Sequence, residues 1–188
     1  MRVPSNANEV NNFNEMKKTI FFLTAIAAVV FLTVSCGNDG LDLEKLRAEE
    51  LEKLDAFIEA NGITVEPTAS GMYYIEELKG TGDTIKPGDR VKIFYTGMFI
   101  DSTLFDFTSD YEPFEFVVGS TDVITGMSEG LTYMTQGGKG TLIIPSNLAY
   151  GATNNTTLGI PRFSTLIFDV EVYKHYKLSD TQNESQDE

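Results

Sequence analysis

The chain has 188 residues and a formal net charge of -14, with 28 acidic side chains against 14 basic ones. That length suits one domain of the usual ~100–150 residues with appendages, and so acidic a surface excludes nucleic acid as a natural partner, because phosphate binding needs basic side chains. One cysteine, Cys36, and one histidine, His175, exclude an internal disulfide and a thiolate zinc cluster and weaken any histidine-rich site, so no metal or cofactor is expected.

Thirteen Phe and eight Tyr without Trp, together with sixteen Gly, make a β-leaning and turn-rich composition. Residues 1–15 are polar and aperiodic. Lys17 and Lys18 then precede an apolar run from Ile20 to Val34, which ends at Ser35-Cys36. A basic start, a short apolar core and a small residue before the cut make a secretory signal. The run is shorter than the ~20 residues that span a bilayer. Residues 1–35 are therefore expected to be leader and signal peptide, with Met16 a better initiator than Met1. The stretch resembles the bacterial lipoprotein signal, although Thr33 stands where that family has a large aliphatic residue. The resemblance implies cleavage before Cys36 and lipid attachment there. The mature protein is then expected in a bacterial cell envelope, membrane-anchored on the periplasmic face of the outer membrane.

Residues 36–70 read as anchor, spacer helix and linker. Leu43, Leu46, Leu51, Leu54, Phe57 and Ile58 form an apolar stripe from Leu41 to Ala60, and Asn61-Gly62 is a C-terminal stop. With no sustained heptad, a spacer packed on the domain is favoured over a dimerisation helix. From Gly71 the hydrophobic period becomes two. Strands are predicted at Met72–Leu78, Arg90–Phe99, Leu104–Asp106, Phe114–Val118, Thr141–Ile144 and Thr165–Tyr173. Between them, Ile124, Met127, Leu131 and Met134 recur at helical spacing within Val123–Met134. A solitary amphipathic helix among strands must bury its stripe in the concavity of a sheet. A polar loop from Leu148 to Pro161 is long enough to act as a flap. Residues 178–188 read as a disordered acidic tail, and His175 as a surface residue without a role.

Across the strands, the inward positions are Tyr95, Phe105, Phe114, Phe116, Ile124, Met127, Tyr150, Ile160 and Phe168, with one carboxylate, Asp106. Periodicity alone leaves open whether they fill a core or line a pocket. The run Val91-Lys92-Ile93-Phe94-Tyr95-Thr96-Gly97 resembles the FKBP-type peptidyl-prolyl isomerases. So do Phe105-Asp106, Pro113-Phe114-Glu115-Phe116, Val123-Ile124 with Gly126, Glu129-Gly130-Leu131, Ile144-Pro145, Leu148-Ala149-Tyr150-Gly151, Ile160-Pro161 and Thr165 to Glu171. The motifs follow in order from Gly71 to Lys177, which marks residues 71–177 as the isomerase domain.

The resemblance implies an α+β fold: a strongly curved antiparallel sheet of five or six strands wrapped around one short helix, here preceded by the N-terminal helix. It implies that Tyr95, Phe105, Phe114, Ile124, Met127 and Phe168 form a cavity for the substrate proline, with Phe116, Val123 and Ile160 beside them. Tyr150 matches a tyrosine whose hydroxyl bonds a substrate carbonyl, the Ile124 N–H matches a second donor, and Asp106 matches the carboxylate beside the twisting amide. Tyr95, Asp106, Tyr150 and Phe168 are thus the expected catalytic set. Proline-containing polypeptides are the implied substrates, and macrolides an implied further ligand class. Two departures stand out. Met127 replaces the usual tryptophan floor, and no arginine between Thr108 and Glu112 is available to pair with Asp106. A non-catalytic chaperone or binding module for unfolded chains is the alternative. A remoter match, Gly126-Met127-Ser128-Glu129-Gly130, fits the hydrolase nucleophile elbow, with Asp169 and His175 following, but that fold needs a parallel sheet.

Overall fold

Residues 42–178 are described by a computed structural model. The leader and signal (1–35), the lipid site at Cys36 and the tail from 179 onward lie outside the described residues.

Helix α1 spans Leu43–Ala60. Asp42 opens it by accepting the Lys45 N–H at 3.0 Å, which satisfies one of the first-turn amides that the helix itself cannot. At the far end the Asn61 side-chain amide donates to the Phe57 carbonyl at 2.8 Å, and Gly62 turns the chain away at a φ of 60°. Leu54 is buried, and Phe57 and Ile58 pack with it against Ile143, Ile167 and Ile100. Leu43 and Leu51 stay exposed. The C-terminal half of the stripe is thus covered by the chain's own sheet.

Strands β1 (Tyr73–Leu78), β2 (Arg90–Phe99), β3 (Leu104–Phe107), β4 (Phe114–Val117), β5 (Lys139–Ile144) and β6 (Leu166–Tyr176) form one sheet. Its order is β1-β5-β6-β2-β3, with β4 also on β2, and every pairing is antiparallel. β2 is the axis. On one side β6 follows it from Arg90↔Tyr176 to Phe99↔Leu166; on the other, β4 pairs with Arg90–Ile93 and β3 with Thr96–Met98. Register shifts at Lys92/Ile93, Gly97/Met98 and Glu76/Leu78 bend the strands where they occur. Alternation sends Val91 and Ile93 inward, where neither has any exposure, beside Leu142, Ile144, Leu166, Val170 and Val172.

Helix α2 is Thr125–Leu131, shorter at both ends than the Val123–Met134 pattern predicts. Ile124 is extended (φ -62°, ψ 150°) and caps the helix without a side-chain bond. After Leu131 the chain tightens, with the Tyr133 and Met134 N–H groups reaching back three residues to Gly130 and Leu131. Met127, Leu131 and Met134 are still buried in the main core, so the apolar face continues past the helix proper.

His175 is corrected by the structure. Its side chain is only 6% exposed, and its Nε2 lies 2.8 Å from Asp89 Oδ2. The turn before β2 folds across the end of β6 and covers it. Leu178, assigned to the tail, donates its N–H to Asp89 Oδ1 at 3.0 Å.

Candidate active site

The concave face of the sheet is not completely filled. A cavity of about 280 Å3 opens over α2, lined by Ile93, Tyr95, Phe105, Asp106, Phe114, Asp122, Val123, Ile124, Met127, Tyr150, Leu158 and Phe168. This lies at the lower edge of the ~300–1,000 Å3 usual for small-ligand pockets. It suits one compact group and little more.

Three walls come from the sheet. Tyr95 on β2 meets Phe168 on β6 edge-on, with ring centroids 5.8 Å apart. Phe168 meets Phe105 on β3 at 5.6 Å and nearly perpendicular, and Phe114 on β4 stands edge-on to Tyr95 at 6.2 Å. These tilted contacts are the favourable geometry for aromatic quadrupoles, and they fix each ring through its neighbours. Met127, 3% exposed, forms the floor from α2. Its unbranched thioether adapts to rings more readily than a rigid indole does.

The polar groups are few and unlike one another. The Tyr95 hydroxyl donates to Asp106 Oδ2 at 2.7 Å, while the Phe107 N–H donates to Asp106 Oδ1 at 2.9 Å. Burial first, and then the neighbouring carboxylate, push the Tyr95 phenol far above its ordinary pKa, so it keeps its proton. The expected want of an arginine is therefore met in another way, since Asp106 is held by a phenol and a backbone amide. Tyr150 also lines the cavity, yet among the described residues its hydroxyl has no hydrogen-bond partner. The Ile124 N–H is likewise unpartnered among the described residues, because as the helix cap it precedes the first intrahelical bond. Two residues of the lining thus carry donors unpartnered among the described residues, beside the carboxylates of Asp106 and Asp122.

Of the residues expected at the site, Tyr95, Phe105, Asp106, Phe114, Val123, Ile124, Met127, Tyr150 and Phe168 come together around this cavity. Phe116 and Ile160 do not. Both are almost wholly buried in the core, at 4% and 1% exposure, with Phe116 stacked behind Phe114 at 5.3 Å. Phe116 faces inward as alternation on β4 implies and Ile160 is buried at the end of the flap, but both support the wall and do not form it. Ile93, Asp122 and Leu158 line the cavity without having been singled out. Ile93 shares the face of Tyr95, and Leu158 is the only large aliphatic residue in the flap between Tyr150 and Ile160. Nothing in the sequence marked Asp122.

The hydrolase elbow is not assembled. Ser128 lies within α2 and accepts the Gly119 N–H at 3.0 Å, Asp169 accepts from Thr141, and His175 is taken by Asp89. The sheet is antiparallel throughout.

An antiparallel sheet folded over one short helix, with an aromatic cavity between them, is the architecture of a small-group binding site. Residues 82–173 match the family model described as FKBP-type peptidyl-prolyl cis-trans isomerase, so the chain carries a domain of that family. It is 41% identical over 131 residues to a probable FKBP-type peptidyl-prolyl cis-trans isomerase of Haemophilus influenzae, an overlap of 69% of this chain and 53% of that one. Identity to an FKBP-type 22 kDa isomerase of Escherichia coli is 39% over 130 residues, covering 69% of this chain and 61% of the relative. The crystal structure of FkpA from Escherichia coli superposes with a TM-score of 0.62 at 28% identity, over 94% of this chain and 76% of that one. The chain thus spans between half and two thirds of the length of these two sequence relatives.

Proposed function

We propose that this protein accelerates rotation about Xaa-Pro peptide bonds of polypeptides in a bacterial cell envelope. The observation that carries the reading is the cavity itself: four aromatic rings over Met127, with the Tyr150 hydroxyl and the Ile124 N–H unpartnered among the described residues. Rotation about an amide makes and breaks no covalent bond, so a barrier of about 18–20 kcal/mol can be lowered by binding alone. In the twisted amide the nitrogen regains its lone pair and the bond loses its polar, double-bonded character. An apolar lining tolerates that state better than water does. Each ~1.4 kcal/mol of such preference gives about a tenfold rate gain.

In this reading the prolyl ring enters between Tyr95, Phe105, Phe114 and Phe168. Tyr150 and the Ile124 N–H bond carbonyls on either side of it, and Asp106, oriented by Tyr95, stands beside the turning bond. Macrolides that fill the same cavity are expected to compete. Exchange NMR on Xaa-Pro peptides tests the proposal: the protein should speed cis/trans interconversion, and Phe168→Ala, which removes the ring touching both Tyr95 and Phe105, should lose at least tenfold of that effect (about 1.4 kcal/mol). Absence of acceleration at any protein concentration would leave the binding-module reading, in which the adaptable Met127 floor accepts unfolded chains without turning them over.

The envelope assignment rests on the signal ending at Cys36. Among the described residues no helix is long and apolar enough to cross a membrane; the lipoprotein-type signal ending at Cys36 is what favours a lipid over an uncleaved anchor. Radiolabelled fatty acid should enter the expressed full chain, and Cys36→Ser should abolish incorporation and release the protein from the membrane fraction. Persistent labelling of Cys36→Ser would end that part of the proposal.

A further inference from the structure

Glu50, in the middle of α1, is 3% exposed and lies far in sequence from every cavity residue. Its carboxylate is saturated. Oε1 accepts the Ser146 N–H at 2.6 Å and the Thr165 hydroxyl at 3.0 Å. Oε2 accepts the Ser146 hydroxyl at 2.6 Å and Arg47 Nη1 at 2.6 Å. Arg47 in turn donates to Ser146 Oγ at 2.9 Å and to Asn147 Oδ1 at 2.8 Å. Burying a carboxylate is costly unless its oxygens are filled, and these four donors fill them.

The partners share one property. Ser146 and Asn147 stand immediately before the flap, and Thr165 stands just after it. A single side chain from the N-terminal helix therefore ties together both ends of the loop that carries Tyr150 and Leu158. The connection to Tyr150 is short: the Ser146 carbonyl accepts the N–H groups of Ala149 and Gly151, the two residues flanking Tyr150, at 2.9 and 2.8 Å. The neck of the loop is closed by the Phe163 N–H on the Gly151 carbonyl at 2.7 Å. Phe163 itself sits at a φ of 53°, a backbone region that a bulky residue occupies only when its surroundings hold it there. On the outer side, Pro161 and Phe163 line a hollow of about 720 Å3 together with Phe57 and Ala60 of α1.

We propose that Glu50 is a positioning residue for the site: through Ser146 and Thr165 it sets the separation of the flap's ends and so the place of the Tyr150 hydroxyl over the cavity. This rests on the isomerase reading for its kinetic consequence, but not for its structural one. The shell around a site, as much as its contacting groups, decides whether those groups are held in productive geometry. α1 then belongs to the working site and is more than a spacer.

The test compares Glu50→Gln with Leu54→Ala in the full chain. Glutamine keeps the shape but presents an NH2 to donors that Oε2 now accepts, so it disrupts the clamp. Leu54→Ala loosens the same helix without touching it. Hydrogen exchange at the amides of Ala149, Gly151 and Phe163 should speed by about tenfold or more in Glu50→Gln and stay near native in Leu54→Ala. KM for an Xaa-Pro peptide should rise several-fold in the first variant with kcat much less changed, because flap contacts are made to ground and transition state alike. Thr165→Val should reproduce part of both effects and Thr165→Ser neither, which keeps the test decisive if Glu50→Gln folds poorly. Native flap exchange in Glu50→Gln and Thr165→Val, or equal changes in Leu54→Ala, would overturn the proposal. If the native protein shows no isomerase activity, the function reading fails while flap exchange still decides the clamp.

Discussion

Two phenols face the cavity with opposite commitments. Tyr95 keeps its proton and commits its hydroxyl to the hydrogen bond with Asp106, so only its ring is left facing the cavity. Tyr150 has an unpartnered hydroxyl among the described residues, and it is the one positioned to donate outward. Tyr150→Phe deletes a single oxygen and is expected to lower kcat/KM by roughly five- to tenfold, the worth of one net hydrogen bond of ~1–1.4 kcal/mol. Stability should be almost unchanged, since nothing in the folded protein loses a partner. A variant with native kcat/KM would remove Tyr150 from the site. The ring positions were legible from sequence because alternation places Val91, Ile93 and Tyr95 on one face whatever the tertiary detail. The Tyr95–Asp106 bond was not, because it depends on the register of β3 on β2, where Gly97 opposes Asp106 next to a bulge. Phe116 shows the same limit: period two gives the side a residue faces, not how deep the hollow reaches.

At the scale of elements, the short helix depends on how near it lies to β5. A Cβ added at Gly126 would collide with Ile144 Cγ2, and one added at Gly130 with the methyls of Leu142. Ile144 has no exposed surface and is branched at its own Cβ, so it cannot swing aside. Gly126→Ala is therefore expected to destabilise by about 1–3 kcal/mol through overpacking, despite alanine's better helix propensity. Urea denaturation measures this, and a neutral or stabilised variant would show that the helix is free to shift. That this stretch is helical follows from its apolar spacing. Where it ends does not, because the buried face runs on through Met134 in a tightened turn that keeps the same side inward. The glycines were visible as part of a motif, but their reason is a contact with a strand that follows in the chain. The flap was legible as a polar stretch between apolar runs. Its anchorage was not, since Glu50 lies about a hundred residues before its partners Ser146 and Thr165.

For the whole molecule, two electrostatic effects of opposite sign govern the response to acid. The formal charge of -14 repels itself at pH 7, and with a pI near 4.4 that repulsion fades as the pH falls toward this value. Asp89 works the other way. Burial alone would raise its carboxyl pKa, but the Leu178 N–H, the His175 ring and the Lys86 N–H outweigh burial and hold it below the ordinary range. Because the folded value is lower than the unfolded one of about 3.9, Asp89 stabilises the protein fully above that pH and loses its contribution as the pH falls through the folded value. Its partners tie the turn before β2 to the end of β6 and to Leu178, so the loss opens one end of the sheet. Asp89→Asn should thus lower stability at pH 7 by about 2 kcal/mol, the scale of hydrogen bonds to a charged group. Urea midpoints of the two proteins should stay separated from pH 7 to about 4.5 and converge below the unfolded carboxylate value of ~3.9. Added salt at pH 7 should raise both midpoints together by screening the shared charge, and a separation that persists undiminished into strong acid would assign the stabilisation to packing around the His175 ring and not to the Asp89 charge.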